Sequence, residues 1–204
     1  MYVFYGYVED GYDENGHIVY KNMDDDPAIT AADKTIIGDP NPDFLVNLTT
    51  AVSYKGFTLS AFFQSSIGND IYSLSMAAQA YDYGYNGNTL REVYYNHWTP
   101  ENPTAKYPNL DQTSYKMSDR FVYDGSFVRL KNLELAYDVP CARSKFIKRA
   151  RVYVSAQNLF TITSYPFWDP DINANGGGSS MIQGVDSYCY PSARTYTIGC
   201  RLTF

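Results

Sequence analysis

From Thr195 to the end, the chain alternates polar and apolar residues. Thr195, Thr197, Gly199, Arg201 and Thr203 share one parity; Tyr196, Ile198, Cys200, Leu202 and Phe204 share the other. Successive side chains of a strand point to opposite faces, so the pattern predicts a strand with one apolar and one polar side. About ten residues is the length of a tilted strand crossing a bilayer. In water such an edge invites aggregation, whereas a closed transmembrane barrel leaves no edge.

A second alternating stretch, PDFLVNLTTAVSYKGFTLSAFFQSS, predicts a hairpin. Phe44, Val46, Leu48, Val52 and Tyr54 share a parity, and so do Phe57, Leu59, Ala61 and Phe63. With Lys55-Gly56 as a two-residue turn, Tyr54 faces Phe57, Val52 faces Leu59, Thr50 faces Ala61 and Leu48 faces Phe63. A slip of one residue would mix the faces, so turn and pattern fix one register.

Residues 66–119 are polar and broken by prolines, and read as a long loop with a helix near 70–80. Residues 121–138 read as the next strand. The alternation changes phase near Leu130 and Lys131, which predicts a bulge or an upper part standing above the membrane. A basic connection carrying Arg143, Lys145, Lys148, Arg149 and Arg151 leads into VYVSAQNLF, where Val152, Val154 and Ala156 alternate with Tyr153, Ser155 and Gln157. A second long loop spans about 161–191. Short turns on one side and long loops on the other match the asymmetry of outer-membrane barrels.

Composition agrees. Of 204 residues, 21 are tyrosine and 17% are aromatic, as interface girdles require. No stretch of 18 apolar residues is present to form a helical span. The net charge of -6 argues against a nucleic-acid partner. Cys141, Cys189 and Cys200 have no C-x-x-C spacing and read as plain, unpaired thiols. Met1 is followed by YVFYGYVED, with no basic segment of a signal peptide. A barrel without one is expected to be a fragment lacking its upstream part.

Seven stretches, in order, carry a family resemblance: FYGYVEDG, DKTIIGDPNPDF, YKGFTLSAFFQSSIGNDIY, WTPENP, SDRFVYDGSFVRLKNLELAY, RVYVSAQNLFTIT and YPSARTYTIGCRLTF. The chain resembles the C-terminal end of a SusC/RagA-type TonB-dependent transporter of the Bacteroidota. The resemblance implies an all-β fold: an antiparallel transmembrane barrel of about 22 strands, of which residues 1–204 form the last five or six and their extracellular loops. The N-terminal plug and TonB box are expected to be absent. It also implies a bacterial outer-membrane location, a SusD-like surface lipoprotein as partner, and coupling to the TonB energy complex through the plug. The imported nutrients would be oligosaccharides, or peptides in some members. Phe204 resembles the terminal aromatic read by the barrel-assembly machinery. No catalysis and no cofactor are expected.

Candidate residues follow. Tyr54, Phe57, Tyr137 and Phe204 fit a membrane girdle against outer-membrane lipid. Tyr81, Tyr83, Tyr85, Trp98, Phe167 and Trp168 lie in the predicted loops. Their flat faces suit stacking on a substrate or packing against a lid protein, or equally the loops' own packing. Asn22, Asp24, Asp26 and Asp33 are spaced like a calcium loop, but Pro27 stands where the sharp-turn glycine belongs; the alternative is a solvated acidic turn. Asp169 and Asp171 read as acceptors of backbone N–H groups in a Pro-containing turn. Gly176-Gly177-Gly178 does not match a phosphate loop. A soluble, secreted β-sandwich that binds glycans through the same aromatic loops is the competing fold and function.

Overall fold

The computed structural model describes residues 2–81, 88–112, 114–141, 146–172 and 183–204. In chain order the strands are β1 (Phe4–Gly6), β2 (Glu9–Tyr12), β3 (Ile18–Tyr20), β4 (Thr35–Gly38), β5 (Phe44–Tyr54) and β6 (Phe57–Ile67). They continue with β7 (Asp70–Ser73), β8 (Val122–Asp124), β9 (Phe127–Val139), β10 (Arg149–Thr163), β11 (Val185–Asp186) and β12 (Thr195–Thr203). Two helices, α1 (Leu74–Tyr81) and α2 (Arg91–Tyr95), lie between β7 and β8.

These elements form two compact units. The first comprises Pro42–Gly68, Gly125–Asp171 and Tyr190–Phe204, and it is built on a five-stranded antiparallel sheet in the order β12-β10-β9-β6-β5. Lys55 (φ 46) and Gly56 (φ 86) close the β5–β6 hairpin with two left-handed residues, the conformation a tight hairpin needs to match strand twist. The register is the one the alternation predicts, pairing Tyr54 with Phe57, Val52 with Leu59, Thr50 with Ala61 and Leu48 with Phe63.

Registry carries one face across all five strands. Val52, Leu59, Leu135, Val154 and Ile198 form a single cross-strand row, with Thr50, Ala61, Leu133, Ala156 and Tyr196 beside it. Most of the large side chains on this face are exposed, Ile198 at 86%. A β-sandwich would have buried such a face under a second sheet, so the sandwich alternative is excluded by these exposures. The opposite face carries Ser53, Thr58, Ser60, Glu134, Ser155 and Thr197 at matching positions. Arg151 lies there, 3.8 Å from Glu134 and 3.6 Å from Asp138.

On the polar face the ring of Tyr153 lies directly over Gly199, its cross-strand partner. A Cβ on Gly199 would stand 2.5 Å from the ring. Gly199→Val is expected to destabilise the sheet by about 1–3 kcal/mol through overpacking, and Tyr153→Ala in the same chain should restore much of it. Thermal unfolding of the three variants in detergent checks this. Equal loss in the single and double variants would show that the ring is not the obstacle.

The bulge expected near Leu130 and Lys131 is present. Phe62 pairs with Asn132 and Phe63 with Leu130, so Lys131 has no partner on β6. Across the same line β10 places Asn158 and Leu159 between Gln157 and Phe160. Asn158 takes a left-handed conformation (φ 52). The bulge takes up the odd residue, so Leu130 stays on the apolar face and Arg129 on the polar one.

Two expectations are corrected. Residues 121–138 are not one strand: β8 ends at Asp124 and β9 begins at Phe127, and the two pair in different sheets. Residues 66–119 hold the helix expected near 70–80, as α1, but they are more than a long loop with a helix. Much of this stretch folds with Met1–Asn41 and Ile172–Cys189 into the second unit. There β1 pairs with β4, β2 with β3, and β7 with β8 and β11. Its core gathers Phe4, Ile71, Tyr72, Ala77, Ala80, Val93, Tyr107 and Phe121. These residues are scattered in sequence, so no local periodicity announces the core. A Glu9–Arg120 ion pair, with Ser118 Oγ donating to Glu9 Oε1 at 2.6 Å, ties β2 to the segment before β8.

Candidate functional site

The polar side of the sheet closes around a buried cation where β9, β10 and the chain entering β12 meet. Arg129 is 1% exposed. Its Nε donates to Thr161 Oγ1 at 2.9 Å, and Nη1 donates to Ser192 Oγ at 3.2 Å and Asp171 Oδ2 at 3.3 Å. Its Nη2 donates to Asp169 Oδ1, and its guanidinium lies 5.3 Å from the centre of the Phe127 ring. Asp169 is itself 6% exposed. Asp171 N donates to its Oδ1 at 2.9 Å and Ser192 N to its Oδ2 at 2.8 Å. Burial pushes the Asp169 carboxyl up, but those N–H donors and the Arg129 charge outweigh it and hold the group below its ordinary value. Asp171 takes a second cation, Lys131 at 3.6 Å.

This knot pins the turn containing Trp168 and the approach to β12 against β10. Between them lies a recess of about 340 Å³, lined by Asn158, Thr161, Thr163, Trp168, Ser192 and Arg194 together with the Arg129–Asp169 pair. Trp168 is 64% exposed and its ring lies 6.0 Å from that of Phe167. Asn158 Nδ2 donates to Ala193 O at 2.9 Å, which fixes the amide so that Oδ1 points elsewhere. That oxygen is buried and has no donor among the described residues.

Of the aromatic residues proposed from sequence, Trp168 lines this recess and Phe167 lies beside Trp168. Trp98 belongs to the second unit, where its indole packs on Gly16 and its backbone N–H donates to Tyr107 O at 2.8 Å. Tyr83, Tyr85 and the Tyr81 side chain lie outside the described residues, as do Arg143, Lys145 and Gly176-Gly177-Gly178. Tyr54, Phe57 and Tyr137 cluster on the apolar face at the two-residue turn, with Phe57 and Tyr137 rings 4.5 Å apart. Phe204 follows β12 at that same end of the sheet, exposed. Cys141, Cys189 and Cys200 are free thiols.

The acidic segment is closed by hydrogen bonds from its own backbone. Asp33 is fully buried in the second unit, where Met23 N donates to its Oδ1 and Thr30 N to its Oδ2, each at 2.7 Å. These donors hold its carboxyl below the ordinary range. Asp24 and Asp26 accept from Asp26 N and Ala28 N in consecutive Asx turns. Among the described residues no group of three His, Cys, Asp or Glu side chains is arranged to hold a metal.

The recess was not foreseen. Asp169 was read as an acceptor of backbone N–H groups, which it is, but its salt bridge to Arg129 spans 40 residues. One signal was available: an arginine between Val128 and Leu130 in a strand needs a buried counter-charge or a polar face.

A sheet with a continuous exposed apolar face, a polar reverse and aromatic rings at its turn end defines a wall segment of a transmembrane β-barrel. No family model matches the sequence. The chain is 34% identical over 199 residues to TonB-dependent receptor P3 of Formosa agariphila, covering 95% of this chain and 20% of the relative. It is 30% identical over 207 residues to TonB-dependent receptor SusC of Bacteroides thetaiotaomicron, covering 98% of this chain and 19% of the relative. Its fold matches a chain of the RagAB peptide importer in the open-open state with a TM-score of 0.78 and 26% identity, over 99% of this chain and 22% of that one. The chain matches TonB-dependent receptors of the SusC/RagA type along nearly its whole length. It spans about a fifth of the length of the curated relatives it matches.

Proposed function

We propose that the chain forms part of the barrel wall of a TonB-dependent nutrient importer in the bacterial outer membrane, taking up oligosaccharides or peptides. The observation that carries this reading is the division of one sheet into a continuous apolar face and a polar face bearing a built recess. The apolar face would meet lipid, and the polar face would line the conduit. Tyr54, Phe57, Tyr137 and Phe204 would anchor the rim at the membrane interface, with Phe204 engaged during barrel assembly. A plug outside this chain would relay TonB energy, and a SusD-like lipoprotein would cover the outer mouth. The wall binds and guides; it performs no bond-breaking step.

The test is uptake by cells carrying the receptor that contains this segment. Uptake of its oligomeric nutrient is expected to vanish when TonB is deleted, while the receptor still sediments with the outer membrane. Uptake that persists without TonB would overturn the import reading, and so would recovery of the receptor in the soluble fraction.

A further inference from the structure

Elimination identifies what the recess offers an incoming molecule. Four of the five Arg129 N–H groups are taken, by Asp169, Asp171, Ser192 and Thr161. Asp169 is taken by Arg129 and two backbone N–H groups. Thr161 accepts from Arg129, and Thr163 donates to Ser126 O at 2.8 Å and accepts from Tyr165 N at 3.1 Å. The lining groups best placed to meet an incoming molecule are Arg194 and Trp168. Arg194 is exposed, and no ion pair or hydrogen bond involves its side chain among the described residues. Trp168 presents a largely exposed indole. Asn158 Oδ1, in the wall, is an acceptor that lacks a donor.

Arg129 is balanced by Asp169, and Lys131 by Asp171, so Arg194 is the uncompensated charge on the lining. A guanidinium is a planar fork that matches a carboxylate in two parallel hydrogen bonds, and it prefers an anion to a neutral acceptor. An indole face stacks on a sugar ring or on a peptide's flat and apolar groups. A volume of about 340 Å³ admits one residue of an oligomer, at the small end of ligand pockets.

We propose that this recess is a subsite for a carboxylate-bearing unit of the imported oligomer, with Arg194 reading the carboxylate and Trp168 packing against the unit's flat side. The inference rests on the import reading and narrows its substrate class. Two sources share this chemistry: an acidic sugar and the C-terminal residue of a peptide.

The experiment is calorimetric titration of the intact purified receptor with four probes: trigalacturonate, its methyl ester, trialanine, and trialanine amide. The acid form of one pair is expected to bind at least tenfold more tightly than its neutral counterpart, and that pair names the source. Arg194→Gln should abolish the preference and Arg194→Lys should keep part of it, with both variants melting at the parent temperature. Trp168→Ala should weaken acid and neutral forms together. Equal binding of acid and neutral forms, no binding of either acid, or an intact preference in Arg194→Gln would overturn the subsite. Such a result beside TonB-dependent uptake removes the subsite alone, whereas loss of TonB dependence removes the import reading.

Discussion

Asp169→Asn is expected to cost about 3–5 kcal/mol of folding free energy, because it leaves the Arg129 guanidinium buried beside a neutral amide. Asp171 cannot compensate. It is the more distant carboxylate, about one third exposed, and it is shared with Lys131. The substitution also removes an oxygen that holds either Ser192 N or Asp171 N, so the turn bearing Trp168 should loosen first. Chemical denaturation of the receptor in detergent measures the cost, and limited proteolysis near residues 164–171 locates it. Arg129→Met with Asp169→Leu should recover most of the loss, since an apolar pair leaves no buried charge uncompensated. A double variant as unstable as the single one would mean that packing, not charge, sets the cost.

The same pair fixes the direction of the acid response. The Asp169 carboxyl titrates below its ordinary value in the folded chain. Its contribution is therefore fully present above the unfolded value, near pH 4, and is lost as pH falls through the lower folded value. Asp169→Asn should flatten this part of the stability profile below about pH 4 and leave the neutral range parallel to the parent.

The second large effect concerns the apolar face. Val154 sits mid-row between Leu135 and Ile198, and Ser155 faces the other way between Glu134 and Thr197. Val154→Arg should cost about 2–4 kcal/mol if that face meets the bilayer core, whereas Ser155→Arg should be nearly neutral. The fraction of receptor that keeps its folded, heat-sensitive gel mobility reads both. Equal losses for the two variants would contradict the assignment of faces.

Much of this architecture is legible in the residues. The hairpin is legible because Lys55-Gly56 and the alternation on either side agree, leaving one register. The bulge is legible because Leu133, Leu135 and Tyr137 fall out of phase with Val128 and Leu130. The second unit is not legible, because its core joins Phe4 to Ile71, Tyr107 and Phe121 across long polar intervals. The recess escapes for a related reason. Arg129 and Asp169 each look ordinary locally, and only tertiary pairing turns them into a buried knot. In the acidic segment Asp33 accepts from Thr30 N, a local contact that spacing alone does not announce.

The line through Lys131 has a consequence for the form of the sheet. Between the same two rungs β6 inserts no residue, β9 inserts Lys131, and β10 inserts Asn158 and Leu159. Each residue adds about 3.3 Å of path, so β10 is roughly 7 Å longer than β6 across one rung. Cloth given extra length in each successive row does not lie flat; it flares. The hollow beside Asn158 is where that surplus is stored, so its width is set by how many residues are let into the seam. Removing Asn158 would draw the seam in, take away the amide that holds Ala193 O, and turn Thr161 from the face on which it meets Arg129.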